Sequence, residues 1–188
     1  MDEERPFTEL VRDRAEMLAA SGVCALGSLF DLTSRRLVRF AVTLTRHQQD
    51  AEDSVQTVLV RVAARPRLLA DANCPWAYLL RMVRNEALTM KRRQKRLGLR
   101  QDLMDLLTRC RVDELEREEK YRAVWKALRK LPTEQAEVVV LKIWEELTFA
   151  RIADVLEISP HTAASRYKYA LQKLAHTLQE LRREIYHE

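Results

Sequence analysis

Glycine and cysteine are both scarce in this chain of 188 residues, with three of each. Cys24, Cys74 and Cys110 are far apart, odd in number and without CxxC spacing, which argues against a disulfide framework and a zinc site. The sequence also lacks a phosphate-binding glycine loop, and its four histidines are too scattered to form a metal cluster. We therefore expect no metal, no other cofactor, no small-molecule substrate and no enzymatic activity.

Long apolar runs and a targeting sequence are missing as well. No uninterrupted apolar run approaches the ~20 residues that a membrane-spanning helix needs. The first ten residues, MDEERPFTEL, are acidic and polar, unlike a signal peptide. These features predict a cytoplasmic protein without membrane insertion.

Charged residues make up 32% of the chain and apolar types 47%, a mixture that favours an all-helical fold when glycine is rare. Apolar residues recur three or four positions apart along most of the chain, as on one face of an α-helix. This spacing predicts helices over residues 8–20, 26–45, 51–64, 75–96, 113–130 and 132–145. Residues 68–74 are predicted to be irregular, and the periodicity lapses over 97–112.

A strong local pattern lies in residues 147–174, LTFARIADVLEISPHTAASRYKYALQKL. Its apolar spacing predicts two short helices separated by Glu157, Ile158, Ser159 and Pro160. Ser159 is a suitable N-cap for the second helix, and Pro160 suits the first helical position. The pattern predicts a helix-turn-helix, a unit whose second helix enters the DNA major groove.

The second of these helices is predicted to turn Ala163, Tyr167, Ala170 and Leu171 towards the core. Its other face is polar and basic, and Arg166 is the best candidate for a bidentate contact to guanine. The candidate DNA contacts are Ser159, His161, Thr162, Ser165, Arg166, Tyr169 and Lys173. The alternative is a plain helical hairpin, which would not explain three basic and no acidic residues between positions 159 and 173.

A second basic segment covers residues 81–100, which contain eight basic residues against one acidic residue, Glu86. Five of the positive charges fall within residues 91–96, more than a helix C-terminus requires, so phosphate contact explains them better than a solvated helix end. The candidate nucleic-acid contacts are Arg81, Arg84, Lys91, Arg92, Arg93, Lys95 and Arg96. Of the aromatic pair Trp76 and Tyr78, we expect one in the core and the other against an unpaired base.

Asp50, Glu52, Asp53 and Gln56 form a polar group at the start of helix 51–64. Carboxylates in a first turn stabilise the positive end of a helix, which accounts for Asp50. Capping does not account for Gln56, which lies three residues from Asp53 on one face. We therefore favour a partner-binding face over a purely structural role.

Taken together, the two halves resemble the extracytoplasmic-function (ECF) group of the sigma-70 family of RNA polymerase sigma factors. LRKLPTEQAEVVVLKIWEELTFARIADVLEISPHTAASRYKYALQKL is similar to region 4, which binds the promoter −35 element. DAEDSVQTVLVRV is similar to the region 2 helix that docks on core polymerase. PWAYLLRMVRNEAL followed by KRRQKR is similar to the part that opens and reads the −10 element.

The resemblance implies an all-α fold with two small helical domains: a region 2-like bundle over 8–96 and a region 4-like helix-turn-helix domain over 113–182, joined by a linker over 97–112. It implies that core RNA polymerase binds at Asp50, Glu52, Asp53 and Gln56, and that promoter DNA is the second partner. An anti-sigma factor is a possible third partner.

The family pattern also places an asparagine, here Asn85, beside a pocket for a flipped −10 base, with Leu69, Asn73 and Trp76 among the neighbouring candidate contacts. The alternative is that Asn85 merely ties two helices together.

Two other classes of function compete with this reading. An ordinary helix-turn-helix regulator would need a dimerisation or sensor domain, and the N-terminal half resembles neither. A module that only sequesters a protein partner would not need the basic run at 91–96.

Overall fold

The computed structural model describes residues 5–96 and 119–186. Within these ranges the regular structure is helical, which confirms the all-α class. The helices are α1 (Phe7–Ser21), α2 (Leu26–Thr45), α3 (Gln48–Ala64), α4 (Pro66–Ala70), α5 (Pro75–Arg96), α6 (Glu119–Lys130), α7 (Thr133–Ile143), α8 (Phe149–Leu156) and α9 (Pro160–Tyr186). The predicted linker and the predicted helix start at residue 113 lie outside the described residues.

The N-terminal bundle consists of α1 to α5. Helices α2, α3 and α5 pack against one another, and α1 packs on α2, α4 and α5. Their apolar stripes meet in a core that includes Leu18, Leu29, Phe40, Val58 and Leu80. Burying one stripe from each helix is what three- and four-residue spacing dictates.

The C-terminal bundle consists of α6 to α9. Helix α9 packs on α6, α7 and α8, and the bundle buries Val138, Leu141 and Ile152. Trp125 of α6 lies against Trp144, which follows α7, with ring centroids 5.2 Å apart. The two bundles also pack together, because α7 contacts α2 and α8 contacts α5.

Helix α3 begins at Gln48, three residues earlier than predicted. The N-cap is His47, whose Nδ1 accepts a hydrogen bond from the Asp50 amide at 3.4 Å. Asp50 therefore lies in the first turn, where a carboxylate still stabilises the helix. Gln48 and Gln49, which precede the predicted helix start at residue 51, belong to the helix because glutamine is a good helix former once a cap precedes it.

The segment predicted to be irregular over 68–74 is partly helical. Pro66 occupies the first position of α4, where its missing N–H is not needed, and Leu69 turns fully into the core. Only the residues between α4 and α5 form the expected turn.

Among the described residues, one stretch within Phe7–Thr45 is long and apolar enough, by length and composition alone, to span a membrane, with a mean hydropathy of 1.4. Gly22 breaks it with a φ of +67°, a conformation that L-residues rarely adopt. Of this stretch 22% is buried, and within Phe7–Thr45 the side chains of Leu18, Leu29 and Phe40 are fully buried in the N-terminal bundle. Core packing accounts for these apolar side chains.

Candidate nucleic-acid and partner interfaces

Helices α8 and α9 form the predicted helix-turn-helix. Thr148 caps α8 by accepting a hydrogen bond from the Arg151 amide at 3.3 Å. The helix ends at Glu157, whose φ of 57° turns the chain. The Ser159 hydroxyl then accepts a hydrogen bond from the Thr162 amide at 3.0 Å, which confirms Ser159 as the cap of α9.

The inner face of α9 differs from its prediction at one residue. Ala163 and Ala170 are fully buried, and Tyr167 is half-buried against Phe149 with ring centroids 5.7 Å apart. Leu171, predicted to be core, is 39% exposed. The buried stripe continues instead through Leu174, so that Leu171 lies at its edge.

The candidate DNA contacts of α9 stand on its accessible side. Ser159, His161, Tyr169 and Lys173 are exposed, while Thr162, Ser165 and Arg166 are half-buried. Arg166 has a neighbour inside its own bundle, Glu137 of α7. Burial raises the pKa of Glu137, and the nearby guanidiniums of Arg84 and Arg166 oppose that rise. Arg166 is therefore electrostatically coupled to the core of the domain as well as accessible at the surface.

Helix α5 presents only part of its predicted nucleic-acid surface. Asn85, Arg92 and Arg93 are exposed. Lys91 donates from Nζ to the Leu44 carbonyl at 3.2 Å, and the Arg81 guanidinium lies 5.4 Å from the centre of the Tyr78 ring. The side chains of Lys95 and Arg96 are outside those described.

Two predicted DNA contacts are core residues. Leu69 and Trp76 are fully buried, and Trp76 packs edge-on against Phe7 with centroids 4.9 Å apart. Neither ring nor aliphatic chain is accessible to a base, so their prediction as DNA contacts is wrong for this structure. Tyr78, which is half-buried, is the accessible member of the aromatic pair.

Asn73 lies at the turn before α5 and is exposed. Its backbone carbonyl accepts a hydrogen bond from Arg12 at 2.6 Å, which fixes the turn to α1. The side chain therefore remains at the surface near the start of α5.

The predicted partner face of α3 is accessible along one line. Glu52 and Gln56 are exposed at adjacent turns, and the Gln48 amide donates to Glu52 at 2.6 Å. Asp50 and Asp53 are half-buried beside them. Sequence reasoning missed Val60, which is 62% exposed one turn beyond Gln56. Its spacing of four from Gln56 is the signal that identifies it as part of this face.

Sequence reasoning also missed two buried carboxylates. Glu137 is held by Arg84 of α5, with Nε to Oε2 at 2.7 Å. Glu145, which follows α7, is paired with Arg36 and Arg39 of α2. A glutamate inside the apolar run AEVVVL signals that Glu137 needs a partner. No sequence pattern identifies Arg84 as that partner, because the pair joins separate bundles.

Comparison with known proteins gives matches in both halves. The family model for sigma-70 region 2 matches residues 29–97, and that for sigma-70 region 4 matches residues 121–174. The ECF RNA polymerase sigma factor SigL of Mycobacterium tuberculosis is 29% identical over 171 residues, covering 89% of this chain and 97% of that protein. The RNA polymerase sigma-E factor of Streptomyces avermitilis is 32% identical over 144 residues, covering 76% and 79%.

Two solved structures share the fold. CnrH in complex with the cytosolic domain of CnrY has a TM-score of 0.63 and 24% identity, covering 91% of this chain and 98% of that one. The sigma factor RpoE in complex with the anti-sigma factor NepR from Bartonella quintana has a TM-score of 0.63 and 20% identity, covering 81% and 96%.

Proposed function

The chain belongs to the ECF group of the sigma-70 family of RNA polymerase sigma factors. We propose that the exposed faces of α9 and α5 each recognise one promoter element, and that α3 binds core polymerase. As a sigma factor it is a transcription initiation factor, not an enzyme. The observation that carries the proposal is the presence of both matched regions, in order, with these three faces accessible.

Helix α3 is the proposed polymerase contact. Glu52 and Gln56 lie on one exposed line with Val60, so the face offers a carboxylate, an amide and an apolar patch. A mixed face of this kind suits a partner surface better than a purely solvated one, since an exposed valine gains free energy only when it is covered.

The proposed −35 contact is the start of α9. Its short hydroxyl side chains allow close approach of a duplex, Arg166 is the base-reading residue, and Lys173 meets a phosphate further along. The proposed −10 contact is the face of α5 that carries Asn85, Arg92 and Arg93, with Arg84 joining it when free of Glu137. We propose residues 8–96 and 113–182, as predicted, as the limits of the two domains.

We also propose cytoplasmic residence, because the polymerase that a sigma factor serves works in the cell interior. An anti-sigma factor is a further proposed partner. CnrH and RpoE, which share the fold, were both solved as complexes with a second protein, and in the case of RpoE that protein is an anti-sigma factor. Exposed Met17, Val23 and Phe30 on the N-terminal bundle add apolar surface for such a contact.

The decisive experiment combines the purified chain with core RNA polymerase on a fragmented genomic template. Transcripts with defined start points, absent with core polymerase alone, support the proposal. A regulator that binds duplex DNA without polymerase would shift template mobility but give no such transcripts. A partner-sequestering module would do neither.

A further inference from the structure

The turn between α4 and α5 is held by three different elements. At its start the Asp71 amide donates to a carbonyl of α4 at 2.9 Å, and at its end the Cys74 carbonyl accepts from an amide of α5 at 3.0 Å. These two bonds do not reach the middle of the turn. There Arg12 of α1 donates from Nη2 to the Asn73 carbonyl at 2.6 Å, across 61 positions of the sequence. The turn is therefore attached to a helix that is distant in the chain.

Arg12 extends from a part of α1 that is fixed in the core. Val11 and Ala15, before and after it, are fully buried in the N-terminal bundle. On the same helix, Phe7 packs edge-on against Trp76 at the start of α5, with ring centroids 4.9 Å apart. Helix α1 thus contacts both the turn and the helix that follows it, so it sets the position of one relative to the other.

The bond between Arg12 and Asn73 differs from a chance surface contact. Arg12 is half-buried, and among the residues that the structure describes no carboxylate pairs with it. No acidic side chain therefore draws the guanidinium away from the Asn73 carbonyl. A hydrogen bond from a charged donor is also about twice as strong as one between neutral groups.

The residue held in this way exposes its own side chain. Asn73 is exposed, and its amide offers a donor and an acceptor that can match a base edge. Such a match needs polar atoms held within about 0.5 Å of their productive positions, and loops support such precision less well than helices do. The bond to Arg12 supplies the missing support, because it fixes the peptide group next to the Asn73 side chain.

We propose that Arg12 is a positioning residue for −10 recognition: by holding the Asn73 carbonyl, it places the Asn73 side chain where it selects one base of the unpaired −10 strand. The inference rests on the proposed −10 role of Asn73. It assigns part of promoter selectivity to α1, which precedes residues 29–97, where the sigma-70 region 2 model matches.

A direct phosphate contact by Arg12 is the competing explanation, because a guanidinium has five donors and the bond to Asn73 uses one of them. The two roles differ in what they change. A phosphate contact adds affinity alike for all sequences and increases the salt dependence of binding. A positioning role acts through Asn73 and changes the preference among bases.

The test uses the full chain with core polymerase on premelted templates that differ at one −10 base at a time. The chain carries Arg12→Gln, Asn73→Ala or both. Arg14→Gln is the matched control, since it removes the same charge from the same helix and the Arg14 charge acts on Asp13. The readout is the ratio of transcript yields from the preferred and the other bases, beside the melting temperature of each variant.

Arg12→Gln is expected to lower this ratio roughly threefold to tenfold, a typical size for coupling between residues in contact. The double variant should lose no more than Asn73→Ala alone, because Arg12 acts through that side chain. Arg14→Gln should leave the ratio unchanged. Arg12→Lys keeps the charge and a donor on a different stem, and should recover part of the preference.

If Arg12→Gln does not fold, as judged by its helical content, Arg12→Lys must show a smaller loss that is likewise absent when Asn73 is alanine. Losses that add up in the double variant overturn the inference, because a residue that only stabilises the bundle would give them. A loss alike on every template, with a flatter salt dependence, makes Arg12 a phosphate contact and also overturns it.

Failure of the proposed function is distinguishable from failure of this inference. An unchanged base preference in Asn73→Ala removes the proposed −10 role of Asn73, and the inference with it. A preference lost in Asn73→Ala and kept in Arg12→Gln overturns the inference alone. The sigma-factor role itself is read from promoter-specific transcripts of the unsubstituted chain.

Discussion

At the scale of single residues, Arg166 interacts electrostatically with one buried carboxylate and also lies on the proposed DNA-binding face. It is half-buried on α9, and its charge acts on Glu137 of α7 as well as on whatever approaches the helix. Arginine forms bidentate pairs with carboxylates and with guanine edges alike, so geometry alone does not divide its role. Lys173, two turns further along α9, is exposed and lies off the predicted base-reading end.

Replacing Arg166 with alanine should remove about 1–3 kcal/mol of discrimination at one or two −35 base pairs. Replacing Lys173 with alanine should instead weaken binding on all sequences alike and flatten its salt dependence. Both effects are measured with the polymerase complex on a library of −35 variants. Unchanged base preference in Arg166→Ala, together with a lower melting temperature, would assign Arg166 to its electrostatic interaction with Glu137.

Asn85 is exposed on α5, and its amide has the donor and the acceptor that a base edge requires. A flipped base gives up stacking and pairing worth a few kcal/mol, which a pocket must replace. Asn85→Ala should lower transcription from a duplex promoter and shift the preference at one −10 position, with little change in thermal stability. A premelted template should restore opening but not the preference. A variant that melts several degrees earlier and keeps its preference would show that Asn85 is structural.

Glu137 allows a prediction about pH, because burial raises its pKa above the ordinary value of 4.5 while Arg84 and Arg166 oppose the rise and Glu134 adds to it. A raised folded-state pKa means that the unfolded chain releases this proton first. The stabilisation contributed by Glu137 is therefore full below pH 4.5 and is lost as the pH rises through the folded-state pKa.

Glu137→Gln, which cannot titrate, should gain stability relative to the native chain as the pH is raised from 4.5, and urea midpoints at several pH values measure this. Glu16→Gln, which changes an exposed glutamate of α1, is the control. If the native chain gains on the Glu137→Gln variant as the pH rises, attraction to Arg84 outweighs burial.

At the scale of elements, the proposed partner face of α3 is formed by several side chains at helical spacing, among them Asp53 and Gln56. Asp53→Lys with Gln56→Ala changes charge and shape on that face while leaving the buried Val55, Val58 and Leu59 in place. The double variant should bind core polymerase at least several-fold more weakly and keep its helical content, as measured by co-purification and circular dichroism. Glu16→Lys, an exposed charge reversal on α1, controls for net charge. Undiminished co-purification would remove α3 from the polymerase interface.

Helices with strong apolar periodicity could be predicted from sequence because their buried stripes are local patterns. Helices α2 and α5 begin and end where periodicity and proline place them. Helix α4 was missed because five residues are too few to show a period, and its burial depends on packing against α1. Trp76 and Leu69 were misassigned for a related reason: an aromatic or aliphatic side chain beside basic residues suits stacking and core packing equally until its neighbours are known.

At the scale of the whole molecule, the relation between the two bundles was beyond sequence reasoning. The contacts that set it join residues more than fifty positions apart, such as Arg36 with Glu145 and Arg84 with Glu137. Each partner alone has an ordinary local explanation, as a charged residue on an amphipathic helix or in a turn. Their pairing appears only when both bundles are folded and in contact, which no periodicity or cap encodes.

The coupling between the bundles should be visible in unfolding. Trp76 is the only tryptophan outside the C-terminal bundle, so in a Trp76→Phe background fluorescence reports on Trp125 and Trp144, whereas circular dichroism reports on all helices. Arg36→Gln removes hydrogen bonds to Glu145 and Trp144, contacts worth about 1.5–3 kcal/mol when one partner is charged. The two probes should give coincident urea transitions in the background chain and separated transitions in Arg36→Gln, since independent domains lose a common transition.

Arg35→Gln, which changes the exposed neighbouring arginine, should leave the two transitions coincident. Separated transitions already present in the Trp76→Phe chain and in its Arg35→Gln derivative would mean that the bundles fold independently and that Arg36 does not join them.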